Sequence, residues 1–207
     1  MNKAALRKTF LQQRKLIPAD EARAAGERMT SFLFGSSFWK EAESVFCFIS
    51  VEGEPDTTPI FLRAFADGKA VFVPRTGPER TLETVPVTLD EFDENAKALW
   101  PRSYGIPEPP ATLPAAVAPR IDLSLIPSLA VDAAGFRLGH GGGYYDRFIM
   151  DRRSQPPSGL FAAIQFGVFF ISEVLPREPY DMPVDILITE NGIPTLSSAQ
   201  TGGAAIL

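Results

Sequence analysis

The chain has 207 residues, 45% hydrophobic and 22% charged, which fits one folded domain and excludes a disordered chain. Its lone cysteine, Cys47, and lone histidine, His140, exclude an intramolecular disulfide framework and a Cys/His zinc centre; any metal here is a hard cation on carboxylates. Residues 1–19 hold Lys3, Arg7, Lys8, Arg14 and Lys15 with no acid, so against a net charge of −5 the remainder carries −10, which disfavours nucleic acid as a partner.

The amino terminus lacks the apolar stretch of a secretory signal, and GLFAAIQFGVFFI (159–171) is interrupted by Gln165 and too short to span a bilayer. A cytoplasmic, reducing location with no membrane partner is expected, although a basic, acid-free start also has the composition of a mitochondrial presequence. Leu6, Phe10, Gln13 and Ile17 follow helical spacing until Pro18 breaks it, and EARAAGERMTSFLF (21–34) reads as a second helix. Next, VFCFIS (45–50), a helical PIFLRAFADG (59–68) and KAVFVP (69–74) predict a βαβ unit. Residues 95–119, rich in Pro and Ala, predict an ordered loop across the surface. DLSLIP (122–127), LFAAIQF (160–166) and DILIT (185–189) read as strands, with YYDRFIMDRR (144–153) as a helix. Alternating strands and helices predict a mostly parallel sheet covered on both faces.

Chemistry concentrates in RLGHGGGYYDRF, residues 137–148. Gly139, Gly141, Gly142 and Gly143 allow positive φ and close approach, so peptide N–H groups can converge on an anion where the loop opens into a helix. The plainer reading, a flexible turn, stays open. The loop has neither GxxxxGK[ST] nor the third glycine of GxGxxG, whose place Tyr144 takes. Arg137 offers a planar fork to phosphate, and Asp146 reads either as a magnesium ligand or as a first-turn carboxylate favoured by the helix dipole. Arg147 reads as solvated.

These residues carry a resemblance to the 5-formyltetrahydrofolate cyclo-ligase family. It runs from Lys3-x-x-x-Arg7 through EGEPDT (52–57), FVP (72–74), YGIPEP (104–109) and residues 122–148 to DMPVD (181–185). The resemblance implies a single three-layer α/β domain with a mostly parallel sheet flanked by helices, over residues 1–193, with 194–207 a flexible tail. It also implies ATP- and Mg2+-dependent closure of 5-formyltetrahydrofolate, with or without a polyglutamate tail, to 5,10-methenyltetrahydrofolate, with release of ADP and phosphate by a monomer. A non-catalytic nucleotide- or folate-binding relative is the alternative.

By the same resemblance Lys3, Arg7, Arg137, Leu138, Gly139, His140, Gly141, Gly142, Gly143, Tyr144 and Tyr145 bind ATP. Glu54, His140, Gly142 and Tyr144 meet the folate, Asp146 and Asp181 hold magnesium, and Arg137, Tyr144 and Asp146 are the catalytic set. The match beginning at residue 3 speaks against a cleaved presequence. Asp146→Asn, nearly isosteric, is expected to leave stability unchanged. Departures are His140 where an aromatic or basic residue is frequent, Val131 for Phe and Ser128 for Gly, with a poor match between Pro74 and Leu89.

Overall fold

The computed structural model describes residues 2–197, the side chains of Glu94 and Ala96 excepted. In chain order the elements are α1 (Lys3–Arg14), α2 (Ala19–Gly35), α3 (Ser37–Glu41), β1 (Ser44–Cys47), α4 (Thr58–Ala66), β2 (Ala70–Thr76), β3 (Leu82–Pro86), α5 (Leu89–Phe92) and α6 (Glu94–Ala98). There follow β4 (Arg102–Ser103), β5 (Ile106–Pro107), β6 (Leu123–Ile126), β7 (Ala130–Asp132), β8 (Arg137–Leu138), α7 (Tyr144–Ser154), β9 (Leu160–Ile164), β10 (Phe170–Ile171) and β11 (Ile186–Ile188).

The main sheet has six strands in the order β11-β9-β6-β1-β2-β3, all parallel except β3, which pairs antiparallel to β2. Alternation along the strands divides the core into two. Val45 and Cys47 face Met29, Leu33, Trp39, Ile60 and Phe61 from the helices on one side. Phe46, between them, faces Phe148 and Ile149 of α7 on the other. The expected three-layer α/β arrangement is therefore present, with β1 and β6 buried at every residue, as a sheet covered on both faces requires.

The strands are shorter than their apolar runs. Beyond Cys47 the chain leaves the ladder, and Ser50 and Thr57 close it into a loop: each backbone N–H donates to the other's hydroxyl at 3.1 Å. β9 ends at Ile164, although Gln165 N–H still donates to Ile188 O at 3.1 Å, and the buried Gln165 side chain donates to Ser128 Oγ at 3.3 Å.

Two parts differ from expectation. Residues 128–138, for which the sequence predicts no strand, supply β7 and β8 of a second sheet ordered β10-β7-β8, completed by Phe170–Ile171. Residues 95–119 are more than a surface loop. They include most of α6, the hairpin β4–β5 and Trp100, which is buried edge-on to Phe92 with ring centroids 6.3 Å apart. Arg75 anchors the segment, its Nη1 donating to the carbonyls of Pro110 and Leu113 at 2.8 Å each. At the other end, Leu196 packs against the α7 side of the core and Ser197 N–H donates to Ala133 O at 2.8 Å, so the start of the expected tail is tied down. Residues 198–207 lie outside the described residues.

No described helix is long and apolar enough to cross a membrane.

Candidate functional site

From β1 the chain moves outward through β2 to β3, whereas β6 begins the opposite half of the sheet, so the strand order reverses between β1 and β6. The carboxyl ends of two such strands diverge and leave a crevice, where open α/β sheets take their ligands. Two loops border it here.

The first, after β1, presents Glu54, whose side chain is only 6% exposed. Val51 N–H donates to its Oε2 at 3.2 Å, and Arg14 Nη1 stands 3.5 Å from its Oε1. Burial pushes the Glu54 carboxyl up, while the Arg14 guanidinium and the Val51 amide hold it down. The phenol of Tyr145 is pushed well above its ordinary value, first by burial and next by the Glu54 charge.

The second loop is the glycine run. Gly141 (φ +106°) and Gly143 (φ +69°) adopt backbone conformations that side chains resist, and left-handed Gly143 opens α7. No side chain caps this helix start, so the N–H groups of its first turn remain open to an anion. Space is tight at the next glycine too: a Cβ on Gly142 would stand 2.6 Å from the Tyr144 ring. Arg147, read as solvated, reaches back to the Gly143 carbonyl at 3.2 Å.

Helix α1 brings its cations to this loop. Arg7 Nε donates to Gly139 O at 2.8 Å, and Lys3 Nζ pairs with Asp181 Oδ2. The expected basic pair and the glycine loop are thus together. His140 sits on the rim, where burial and the guanidiniums of Arg14 and Arg7 hold its imidazole below the ordinary value. Leu138 points into the core at 2% exposure and can serve a ligand through its backbone alone.

Arg137 departs from the expected phosphate fork. Its side chain is 3% exposed, and Nη1 donates to Asp146 Oδ1 at 2.8 Å and to Met182 O at 3.1 Å. Met182 N–H donates to the same Asp146 oxygen at 3.1 Å, which sets Asp146 beside the 181–182 peptide and so beside Asp181. Among the described residues, the other oxygen of each carboxylate makes no hydrogen bond, and no third His, Cys or carboxylate completes a metal cluster. Two carboxylates with free oxygens fit magnesium, which typically takes one or two from the protein and the rest from phosphate and water.

Sequence reasoning missed two contributors. Arg14 counted only as a basic charge, yet it is buried in the crevice. Tyr104, at the tip of the β4–β5 hairpin, is 85% exposed with φ +51° and meets Tyr144 edge-on, ring centroids 6.4 Å apart. Its hydrogen bond pushes the Tyr144 phenol up. The signal for Tyr104 lay in Tyr-Gly, a turn pair between two short extended runs.

The 5-formyltetrahydrofolate cyclo-ligase family model matches residues 1–190. The chain is 26% identical over 189 residues to the 5-formyltetrahydrofolate cyclo-ligase of Mycolicibacterium smegmatis, covering 91% of this chain and 93% of that one. It is also 26% identical over 188 residues to the Escherichia coli K12 enzyme of the same name, covering 88% and 97%. The NMR structure of Aquifex aeolicus 5,10-methenyltetrahydrofolate synthetase aligns with a TM-score of 0.76 at 26% identity over 100% of both chains. With its fold and almost its whole length matched, the chain belongs to the 5-formyltetrahydrofolate cyclo-ligase family.

Proposed function

We propose that this protein uses ATP to convert 5-formyltetrahydrofolate, with or without a polyglutamate tail, to 5,10-methenyltetrahydrofolate, ADP and phosphate, as a cytoplasmic monomer. One observation carries the reading: the uncapped start of α7, opened by left-handed Gly143, lies where α1 delivers Arg7 to the glycine loop and Lys3 to Asp181. A polyphosphate placed there meets backbone N–H groups, a helix dipole and two cations at once.

The chemistry follows from the leaving group. A formamide oxygen cannot depart unaided. Attack of that oxygen on the γ-phosphorus releases ADP and leaves an iminium phosphate; N10 then adds to the formyl carbon and loses its proton, and phosphate leaves with the former formyl oxygen. This chain need only position and neutralise, which explains the absence of a nucleophilic dyad around Cys47: that thiol is buried and its pKa pushed up. Lys3, Arg7 and the 139–145 backbone hold the triphosphate, Tyr144 and His140 border it, and Glu54 receives the pterin N–H donors. Arg137 positions Asp146. Asp146 and Asp181 would hold magnesium, which when bound supplies a hard positive charge beside the phosphate oxygens.

Heavy-oxygen labelling of the formyl group tests the reading. Released phosphate should carry the label in step with methenyltetrahydrofolate formed. Unlabelled phosphate at normal turnover would refute formyl activation. A non-catalytic binding relative would release no phosphate.

A further inference from the structure

Lys3, Arg7 and Arg14 stand on one face of α1, four and then seven residues apart. The first two reach the glycine loop. Arg14 does something different, because its side chain is only 4% exposed. Its Nη2 donates to Ser128 O at the end of β6, its guanidinium lies 5.9 Å from the Phe169 ring centroid, and its buried Nε has no hydrogen-bond partner. Burying a guanidinium with one N–H unsatisfied is unfavourable, and a buried ion pair of this kind rarely stabilises more than apolar packing would. The fold alone gives little reason for it.

What the pair does provide is a fixed anion. We propose that Arg14 is a positioning residue for substrate recognition: it bridges the ends of β1 and β6 and holds the Glu54 carboxylate charged and in place for the pterin. This rests on the reading of Glu54 as the folate contact given above. The geometry supports it from three sides. Arg14 spans the crevice from Ser128 O to Glu54 Oε1. Gly53 lets the Glu54 loop lie against it, since a Cβ there would stand 3.3 Å from Arg14 Cδ. The second carboxylate oxygen is held by Val51 N–H, which fixes its rotation. The charged group facing Glu54 is Arg14 from α1, and the Tyr145 phenol from α7 feels the Glu54 charge together with Cys47, Arg137 and Glu108, while His140 of the glycine loop feels Arg14 and Arg7. Arg14 is the cation in direct reach, so without it the carboxylate would protonate more readily.

The test is a double-mutant cycle read by calorimetry with 5-formyltetrahydrofolate and the full-length protein, using R14Q, E54Q and the pair, with R14K as the charge-retaining variant. R14Q should weaken folate binding about tenfold or more at pH 7, on the order of the loss of one charge-assisted contact as the unpartnered carboxyl takes up a proton more readily. The loss should shrink as pH rises from 6 to 9, and adding R14Q to E54Q should cost nothing further. R14K should lie nearer the parent in both size and pH profile. If R14Q fails to fold, R14K in the parent and E54Q backgrounds completes the cycle. A pH-independent loss, or full additivity with a damaging E54Q, would overturn the positioning role alone. If E54Q binds folate as the parent does, the reading of Glu54 falls and takes the role of Arg14 with it.

Discussion

The two loops bordering the crevice solve opposite problems. The 139–143 loop is built from backbone: its glycines surrender side chains so that N–H groups and the cations of α1 can surround a ligand that brings several negative charges. The 51–57 loop is built from side chains, with Ser50 and Thr57 locking its base and Arg14 holding one buried carboxylate. An open nest reads charge. A closed ion pair suits one pattern of hydrogen-bond donors, and the contrast fits the proposed ligands, a common phosphate donor and one particular acceptor.

Substitutions should therefore separate two kinds of affinity. The largest effect is expected from Asp146→Asn, which removes both the proposed magnesium ligand and the ion pair of buried Arg137. Turnover should fall by more than about a hundredfold, and unfolding titrations should show a loss of about 2–3 kcal/mol, the usual contribution of a charged hydrogen bond. This corrects the isostere argument, which took Asp146 as a free ligand. Unchanged stability would separate Asp146 from Arg137. Next, the Lys3→Ala, Arg7→Ala double variant should lose at least about tenfold in ATP affinity by calorimetry while folate affinity holds, since two charge-assisted contacts are removed from the nest alone. An equal loss for both ligands would erase the distinction between the loops.

Gly142→Ala is gentler, because the added methyl must displace the half-buried Tyr144 ring, which meets exposed Tyr104 edge-on. A roughly threefold rise in KM for ATP is expected, of the order of 0.5–1.5 kcal/mol for an off-rotamer ring. The smallest effect belongs to His140→Gln. The imidazole is held below its ordinary value of about 6.5, so it is neutral at pH 7.5 and ATP affinity there should change by less than about twofold. In the parent the unfolded chain takes up that proton more readily than the folded one, so stability is full above about pH 6.5 and falls as pH drops through the folded-state value. Denaturant titrations from pH 7.5 to 5 should show that decline flattened in His140→Gln.

Much of this molecule was legible before any coordinates. The buried strands around Val45, Leu123 and Ala162 declare themselves as apolar runs, and four glycines ahead of Tyr144 mark the nest. The illegible parts depend on distant partners. Glu83 and Val85 gain strand character because β2 lies beside them, and the hairpin that carries Tyr104 docks on Thr76, whose Oγ1 bonds Ser103 Oγ at 3.0 Å and whose N–H donates to Glu108 Oε2 at 3.1 Å. Arg14 looks like the exposed Lys8 and Lys15 of the same segment until α1 is laid across the crevice. A local pattern shows that a helix has a basic face but not which of its cations the tertiary structure buries.

The Pro- and Ala-rich segment that docks beside β3 has a further consequence. Among the described residues β3 has one strand neighbour, β2, and its outer border would otherwise present unpaired main-chain groups. Ala116 N–H takes the Thr84 carbonyl at 2.9 Å, and Pro86 at the strand's end has no N–H to offer. The segment thus acts as a selvedge on the sheet. A border finished in this way offers a second chain fewer main-chain groups to pair with, which lowers the aggregation hazard of this edge while the slower parallel strands find their partners.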